Sequence, residues 1–167
     1  PDHTDRFGSF GNPLLEPETS KSIELGIIFD LSTQSRFQLS LFNNQIDQLI
    51  EVNGGFTQMI NIDETEIKGV EISYSNRLEK WRYRLDAVFQ DAKNKLTNDP
   101  LSRRAKSTLN AQVSYHHGLW RVASFVSLIS SRDDSSFNDT ILAGYGLVDL
   151  TASYRFSRQS QLSMRID

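Results

Sequence analysis

Apolar and polar side chains alternate along much of the chain, most regularly between residues 81 and 89. The odd positions of this stretch are Trp, Tyr, Leu, Ala and Phe, whereas three of its four even positions are charged. Because a β-strand sends successive side chains to opposite faces, the pattern predicts a strand with one apolar and one charged face. The stretch alone leaves open whether the apolar face meets a protein core or lipid.

The same alternation predicts an all-β fold, an antiparallel up-and-down meander of about eight strands. The first twenty residues are predicted to be loop, because Gly8, Gly11, Pro13 and Pro17 punctuate them. Alternation fails after Leu41, where a β-bulge could restore it. The alternating stretches are 23–29, 37–41, 70–74, 81–89, 109–115, 120–128, 148–156 and a last one from 162, which stops at 167 as if in mid-strand.

Short and long connections alternate between the predicted strands, and large aromatic residues cluster beside the short ones. A transmembrane β-barrel predicts both regularities, through short periplasmic turns, long outer loops and aromatic girdles at the membrane interfaces. A soluble sandwich gives no reason to keep aromatic residues at one end of every hairpin. We therefore predict membrane-interface positions for Tyr74, Trp81, Tyr83, Tyr115, Trp120, Tyr154 and Phe156.

The face opposite the apolar one is too charged for a dry core, where buried ions must be paired at substantial cost. It suits a hydrated lumen or a polar plug. A substrate path is possible along this face, but pairing of these charges with one another or with a plug is the favoured interpretation. The residues predicted to face the lumen are Glu71, Arg82, Arg84, Asp86, Asp149 and Arg155.

Composition agrees with a lipid-facing sheet, since 38% of the residues are apolar, against about 45–50% in globular domains. A net charge of −3 gives no reason to expect a nucleic-acid partner. No apolar run reaches the roughly 18 residues that a transmembrane helix needs. The first residues lack the apolar segment of a signal peptide, and the chain does not begin with Met, so we expect it to be part of a larger protein.

The residues give no sign of catalytic, cofactor or metal chemistry. The chain has no cysteine, no nucleophile elbow and no phosphate-binding glycine loop, so we expect it not to be an enzyme. His116 and His117 are adjacent on a strand and point to opposite faces, which disfavours chelation. The acidic loop segments 98–99 and 133–139 lack the fixed ligand spacing of a calcium loop.

The long loops are the expected place for ligand contact, with Asn53, Phe56, Phe137 and Asn138 as candidates. The basic residues 103, 104 and 106 could bridge lipopolysaccharide phosphates, contact an anionic ligand or form a simple strand-end charge cluster. Gly69, within a predicted strand, marks either a bulge or a close approach of two backbones.

Several short motifs together resemble the TonB-dependent outer-membrane receptors. They are residues 12–20 (NPLLEPETS) with 24–26 (ELG), residues 67–71 (IKGVE), and residues 142–145 (LAGY) with 148–150 (VDL). The stretch 100–105 (PLSRRA) with 109–110 (LN) is most similar to the vitamin B12 (cobalamin) receptor branch of that family. The resemblance covers essentially the whole chain.

The resemblance implies a plugged transmembrane barrel of about 22 strands in the outer membrane of a Gram-negative cell. Residues 1–167 would be a partial C-terminal β-barrel domain, with the plug domain, the first strands and the last strand outside this chain. The implied function is active uptake of a large scarce nutrient, energised by TonB through the plug. The implied partners are membrane lipid, lipopolysaccharide and, as ligand, cobalamin or a ferric siderophore.

Two other architectures remain open at this point. One is a self-contained, small eight-stranded outer-membrane barrel. The other is a soluble binding module such as a lectin-like β-sandwich. If the chain is a piece of a larger barrel, we expect the isolated fragment to associate through its open strand edges, because unpaired edges recruit other chains.

Overall fold

The computed structural model describes residues 1–53, 55–134 and 140–167. Within them the chain forms one short helix and a series of strands, which follow one another in the order of the sequence. The elements are α1 (His3–Phe7), β1 (Thr19–Ser32), β2 (Ser35–Val52), β3 (Met59–Leu78), β4 (Trp81–Asn94), β5 (Ser107–His117), β6 (Trp120–Ile129), β7 (Arg132–Asp133), β8 (Ile141–Leu142), β9 (Tyr145–Arg155) and β10 (Gln161–Ile166).

Eight strands form one antiparallel sheet in the order β1-β2-β3-β4-β5-β6-β9-β10, and β7 pairs with β8 in a separate small ribbon. This confirms the predicted all-β up-and-down meander. In the described part of the chain, β1 pairs only with β2 and β10 only with β9. Within residues 1–53, 55–134 and 140–167 the sheet is therefore open, contrary to the self-contained eight-stranded barrel, and it has no opposing sheet of the kind that a sandwich requires.

The connections alternate in length as predicted. Two-residue turns join β1 to β2, β3 to β4 and β5 to β6, and a five-residue turn joins β9 to β10. The longer connections, from β2 to β3, from β4 to β5 and from β6 to β9, start at the other end of the sheet, which we call the loop end. The turn after β3 is tighter than predicted, since the strand continues to Leu78 and Glu79 takes a φ of 47°.

The first twenty residues are more ordered than the sequence indicates. The predicted loop contains α1, whose capping box pairs Asp2 and Asp5: each carboxylate accepts a hydrogen bond from the other residue's backbone N–H at 2.8 Å. The first strand begins at Thr19, ahead of the alternating stretch that starts at Ile23. The glycines and prolines of this segment indicated that the alternation is interrupted here, but they gave no sign of the five-residue helix α1.

No bulge follows Leu41, although one could have restored the alternation there. The pairing of β2 with β3 keeps one register from Leu41↔Val70 to Leu49↔Ile62, and only Gln48, with a φ of 59°, interrupts it. Alternation fails for a different reason: this end of the hairpin builds a local core. Leu49, Ala92 and Leu101 are buried there, with Ile46, Ile62 and Ile67 packed against them.

Gly69 marks a close approach rather than a bulge, because β3 keeps its register with both neighbours. Its cross-strand partner Phe42 lays its ring against the glycine, so that an added Cβ would lie 2.8 Å from Phe42 Cζ. The same Cβ would come even closer to the carbonyl oxygen of Phe89 on β4. Only a residue without a side chain fits this position.

Residues 8–18 form a strap across the loop end of the β2–β3 hairpin. Met59 N–H donates to Phe10 O at 2.6 Å, and Asn12 Nδ2 donates to Met59 O at 3.0 Å. Asn61 binds the strap twice, because its Oδ1 accepts from Glu16 N–H at 2.9 Å and its Nδ2 donates to Glu16 O at 3.1 Å. Leu15, within the strap, is buried.

Arg103 connects three long loops. Its backbone N–H donates to Asp133 O at 2.7 Å, and its Nε lies 3.2 Å from Asp134 Oδ1. Its guanidinium lies over the ring of Phe56, 5.6 Å from the centroid. The residue adopts a left-handed backbone with a φ of 59°, which turns the chain toward these partners. We call this set of contacts the Arg103 latch.

We predict that Gly69→Ala destabilises the protein by about 1–3 kcal/mol, because the added methyl overpacks a closed contact. The free energy of unfolding in urea measures the effect. Gly26→Ala is the matched control: Gly26 also lies within a strand, on the face that Phe42 shares, but its added Cβ meets only Leu39 O, at 3.9 Å. An equal loss in both variants would contradict the close-approach interpretation.

We predict that Arg103→Asn loosens the loop end, because it removes an exposed ion pair and a cation–π contact that together contribute about 1 kcal/mol. Asparagine tolerates the left-handed backbone, so the side-chain contacts are removed with little added strain. Backbone hydrogen exchange in 53–58 and 130–134 should accelerate about fivefold. Arg158→Asn, in the exposed turn after β9, should leave this exchange unchanged.

Candidate ligand-binding site at the loop end of the sheet

The sheet has one apolar and one polar face along its whole width. Cross-strand pairs place Tyr74 opposite Leu85, and Trp81 opposite Tyr115, on the same side. Large apolar side chains on this side are exposed from the first strand to the last, with Leu25 at 64% and Leu162 at 69%. In the part of the chain that the structure describes, no element covers this face.

The predicted interface aromatics lie together at the short-turn end. The ring centroid of Trp81 is 4.6 Å from that of Tyr115 and 6.0 Å from that of Tyr83. Trp120 and Tyr154 are 4.7 Å apart, and Phe156 follows directly in the turn after β9. Tyr74 lies in the same row and accepts a hydrogen bond from Asn76 Nδ2 at 3.0 Å. The register therefore collects these residues into one band, and their membrane role stays a prediction.

The predicted lumen residues share the opposite face, and several of them are paired. Arg84 and Asp86 form an ion pair at 2.7 Å, and Ser73 Oγ donates to the same carboxylate at 2.7 Å. Asp149 on β9 pairs with Arg165 on β10 at 3.2 Å. These contacts agree with the interpretation that charges on this face serve structure.

Glu71, Arg82 and Arg155 form no ion pair within residues 1–53, 55–134 and 140–167. Arg82 instead lines a depression of about 450 Å³, which also includes His116 and Arg121 and crosses four strands. The depression is broad and open. It places uncompensated positive charge on the polar face near the short turns.

The four loop residues predicted to contact ligand have different surroundings. Asn53 holds its own loop together, since its Oδ1 accepts from Thr57 N–H at 2.9 Å and its Nδ2 donates to Thr57 Oγ1 at 2.9 Å. Phe56 is part of the Arg103 latch. Phe137 and Asn138 lie outside the described residues. The amide of Asn53 is thus occupied, and Phe56 remains exposed beside a cation.

A cleft of about 160 Å³ lies next to the latch, and we call it the cationic cleft. Three of its lining residues, Arg104, Lys106 and Arg132, are cations. Gln90 and Ala92, which also line it, belong to β4, and Gln90 Nε2 donates to Ala105 O at 2.9 Å. Sequence reasoning identified the first two cations as a group but missed Arg132, which lies in a distant loop.

Glu51, at the loop end of β2, is the acidic neighbour of this region. Burial raises the pKa of its carboxyl group, while the nearby charges of Arg104 and Arg103 act in the opposite direction. The carboxylate is therefore poorly solvated, and part of its charge is balanced by the arginines. The loop end combines a cation-rich cleft with a half-buried acid.

The structure gives no metal site among the residues that it describes: no three His, Asp or Glu side chains come together there in a way that could hold an ion. Within the same residues, no helix is long and apolar enough to cross a bilayer.

Comparison with known proteins gives sequence relatives that span the chain. It is 29% identical over 162 residues to the vitamin B12 transporter BtuB of Vibrio vulnificus (strain YJ016), covering 95% of this chain and 26% of that protein. It is 32% identical over 155 residues to the vitamin B12 transporter BtuB of Photobacterium profundum, covering 86% of this chain and 25% of that protein. The chain thus spans about a quarter of the length of these relatives.

Solved structures share the fold. The copper transporter OprC superposes with a TM-score of 0.79 at 20% identity, over 98% of this chain and 28% of that one. The ferric yersiniabactin uptake receptor FyuA of Yersinia pestis gives a TM-score of 0.74 at 14% identity, over 89% of this chain and 24% of that one. At these identities the match establishes the architecture alone.

The family described as "TonB dependent receptor-like, beta-barrel" matches residues 1–167, which is the whole chain. The exposed apolar face, the alternating turns and loops, and the solved neighbours all agree with that match. This chain therefore belongs to the TonB-dependent receptors of the Gram-negative outer membrane, as part of their β-barrel.

Proposed function

We propose that the chain forms a wall segment of an outer-membrane receptor that takes up cobalamin and is energised through TonB. The observation that carries the choice of ligand is its similarity to two vitamin B12 transporters along most of its length. The role is binding and transport, without catalysis. The plug that contacts TonB would come from the rest of the receptor.

In this proposal the two faces of the sheet have different surroundings. The apolar face lies against lipid, and the aromatic band at Trp81, Tyr115 and Trp120 lies at the periplasmic interface. The polar face lines the lumen of the barrel and meets the plug. The loop end lies outside the cell, close to lipopolysaccharide, and supplies part of the ligand site.

A ferric siderophore is the second candidate ligand. It is favoured by the concentration of cations at Arg104, Lys106 and Arg132, because many iron chelates are anionic. Cobalamin is large and mostly neutral, with one phosphodiester. The two ligands therefore differ in how strongly they would use these cations.

We predict that Leu85→Lys is far more destabilising than Val88→Lys in the complete receptor. Both residues lie on β4, but Leu85 is on the apolar face, whereas Val88 shares the polar face with Glu71 and Thr108. A lysine facing the middle of a bilayer costs about 2–4 kcal/mol. Urea unfolding of the receptor in lipid vesicles measures both variants.

The assignment of the faces would be overturned if Val88→Lys were the worse of the two variants. Equal and small effects would contradict a lipid-facing sheet altogether. This pair tests the orientation of the wall independently of any ligand.

Titration of the complete receptor with cyanocobalamin tests the ligand. We expect saturable binding at micromolar concentration or below, measured by quenching of tryptophan fluorescence or by calorimetry. Ferric siderophores, one neutral and one anionic, are the comparison ligands. If the receptor does not bind cobalamin at micromolar concentration but binds a siderophore tightly, the transported ligand is a ferric siderophore instead.

A further inference from the structure

The cationic cleft carries a more specific inference about the ligand, which rests on the proposed function. Its lining includes Arg104, Lys106 and Arg132, together with Gln90, Leu101 and a single carboxylate, Asp133. These residues lie between positions 90 and 133 in the sequence, and they come together from strand ends and loops. Within the described lining the positive charges therefore outnumber the negative ones by three to one.

Neighbouring carboxylates leave much of this charge uncompensated. Asp134 lies 3.2 Å from Arg103, in the latch, and so serves a different cation. Glu51 acts on Arg104 and Arg103 together, and it is half-buried. No ion pair of Arg104, Lys106 or Arg132 is formed within the residues that the structure describes.

Arg132 gives the clearest sign that the cleft is built for a partner. Its Nη1 is buried and has no hydrogen-bond acceptor among the residues that the structure describes. An unsatisfied buried donor of a charged group is costly, and such groups normally find an acceptor. The guanidinium also lies over the ring of Tyr145, with its Cζ 5.7 Å from the ring centroid.

The other two cations add charge on the solvent side of Arg132. Arg104 and Lys106 are exposed, so their side chains can approach a ligand that Arg132 has anchored. The cleft, at about 160 Å³, is smaller than the roughly 300–1,000 Å³ of a pocket that encloses a whole small molecule. It has room for one chemical group.

We propose that the cationic cleft binds an anionic oxygen group of the transported ligand. In cobalamin this group is the phosphodiester of the nucleotide arm, and in an iron chelate it is a carboxylate or catecholate oxygen. Arg132 donates from its buried Nη1, while Arg104 and Lys106 approach from the solvent side. Arginine suits this task because its planar fork of donors matches two oxygens at once.

The test uses the complete receptor and two corrinoids that differ in this group. Cyanocobalamin contains the phosphodiester, whereas dicyanocobinamide has the same corrin ring without the nucleotide and phosphodiester. We expect Arg132→Gln to weaken cyanocobalamin binding about tenfold, the loss of one charged hydrogen bond. Binding of dicyanocobinamide should change less than about twofold, which also shows that the variant is folded.

Arg158→Gln removes the same charge in the exposed turn after β9 and is the matched control. It should leave the affinity for both corrinoids unchanged. The double variant Arg104→Gln, Lys106→Gln should weaken cyanocobalamin selectively as well. An equal loss for both corrinoids with Arg132→Gln, or no loss for either, would overturn the inference.

Failure of the proposed function would give a different result. If the unaltered receptor does not bind cyanocobalamin, cobalamin uptake is wrong, and the cleft is tested with an anionic ferric catecholate against a neutral ferric hydroxamate. Arg132→Gln should then weaken only the anionic complex, about tenfold. Equal effects on both complexes, or binding of no anionic ligand at all by the unaltered receptor, would overturn the inference.

Discussion

The register of the backbone hydrogen bonds between neighbouring strands is the constraint on which the rest of this structure depends. Side chains alternate with a period of two, so a slip of one residue would move Arg84 and Asp86 among the leucines and valines of the apolar face. The pairing of β3 with β4 continues without interruption from Thr65↔Asn94 to Leu78↔Trp81. In lipid the same pairing has a second role, because no water is present to satisfy an unpaired backbone group.

The loop end is organised differently, by tertiary contacts in addition to the period of the strands. Beyond Asn43 the hairpin of β2 and β3 buries Leu49 in a local core and packs Ile46 against it, and the strap and the Arg103 latch hold the loops around this core. Side chains can then be placed by loop geometry instead of strand period. Arg132 is an example, since its position depends on Tyr145 and on the β7–β8 ribbon.

Much of the fold could be predicted from the sequence, because a period of two is a local signal. The stretch from residues 81 to 89 already assigned Leu85 and Arg84 to opposite faces, and the register extends that assignment across eight strands. The small elements were missed: α1 depends on a capping box of two aspartates, and β7 and β8 have two residues each. Such elements are too short to show a period.

The candidate site was only partly accessible to the same reasoning. Arg104 and Lys106 stand close together in the sequence and were recognised as a cluster, whereas Arg132 joins them only through folding. Asn53 was chosen because it is a polar loop residue, but its side chain hydrogen-bonds its own turn, as asparagine often does. The sequence indicates which loops contain polar and charged side chains. The tertiary contacts determine which of those side chains remain free to bind a ligand.

The strap also has a consequence for the order of folding. Its hydrogen bonds join residues 45 and 47 positions apart, such as Glu16 to Asn61 and Asn12 to Met59, whereas the hairpins β1–β2, β3–β4 and β5–β6 close across turns of two residues. Contacts between distant positions form late, because the entropy of closing the intervening chain must be overcome first. We therefore expect the strap to close over the loop end of the β2–β3 hairpin only after the strands of that hairpin have paired.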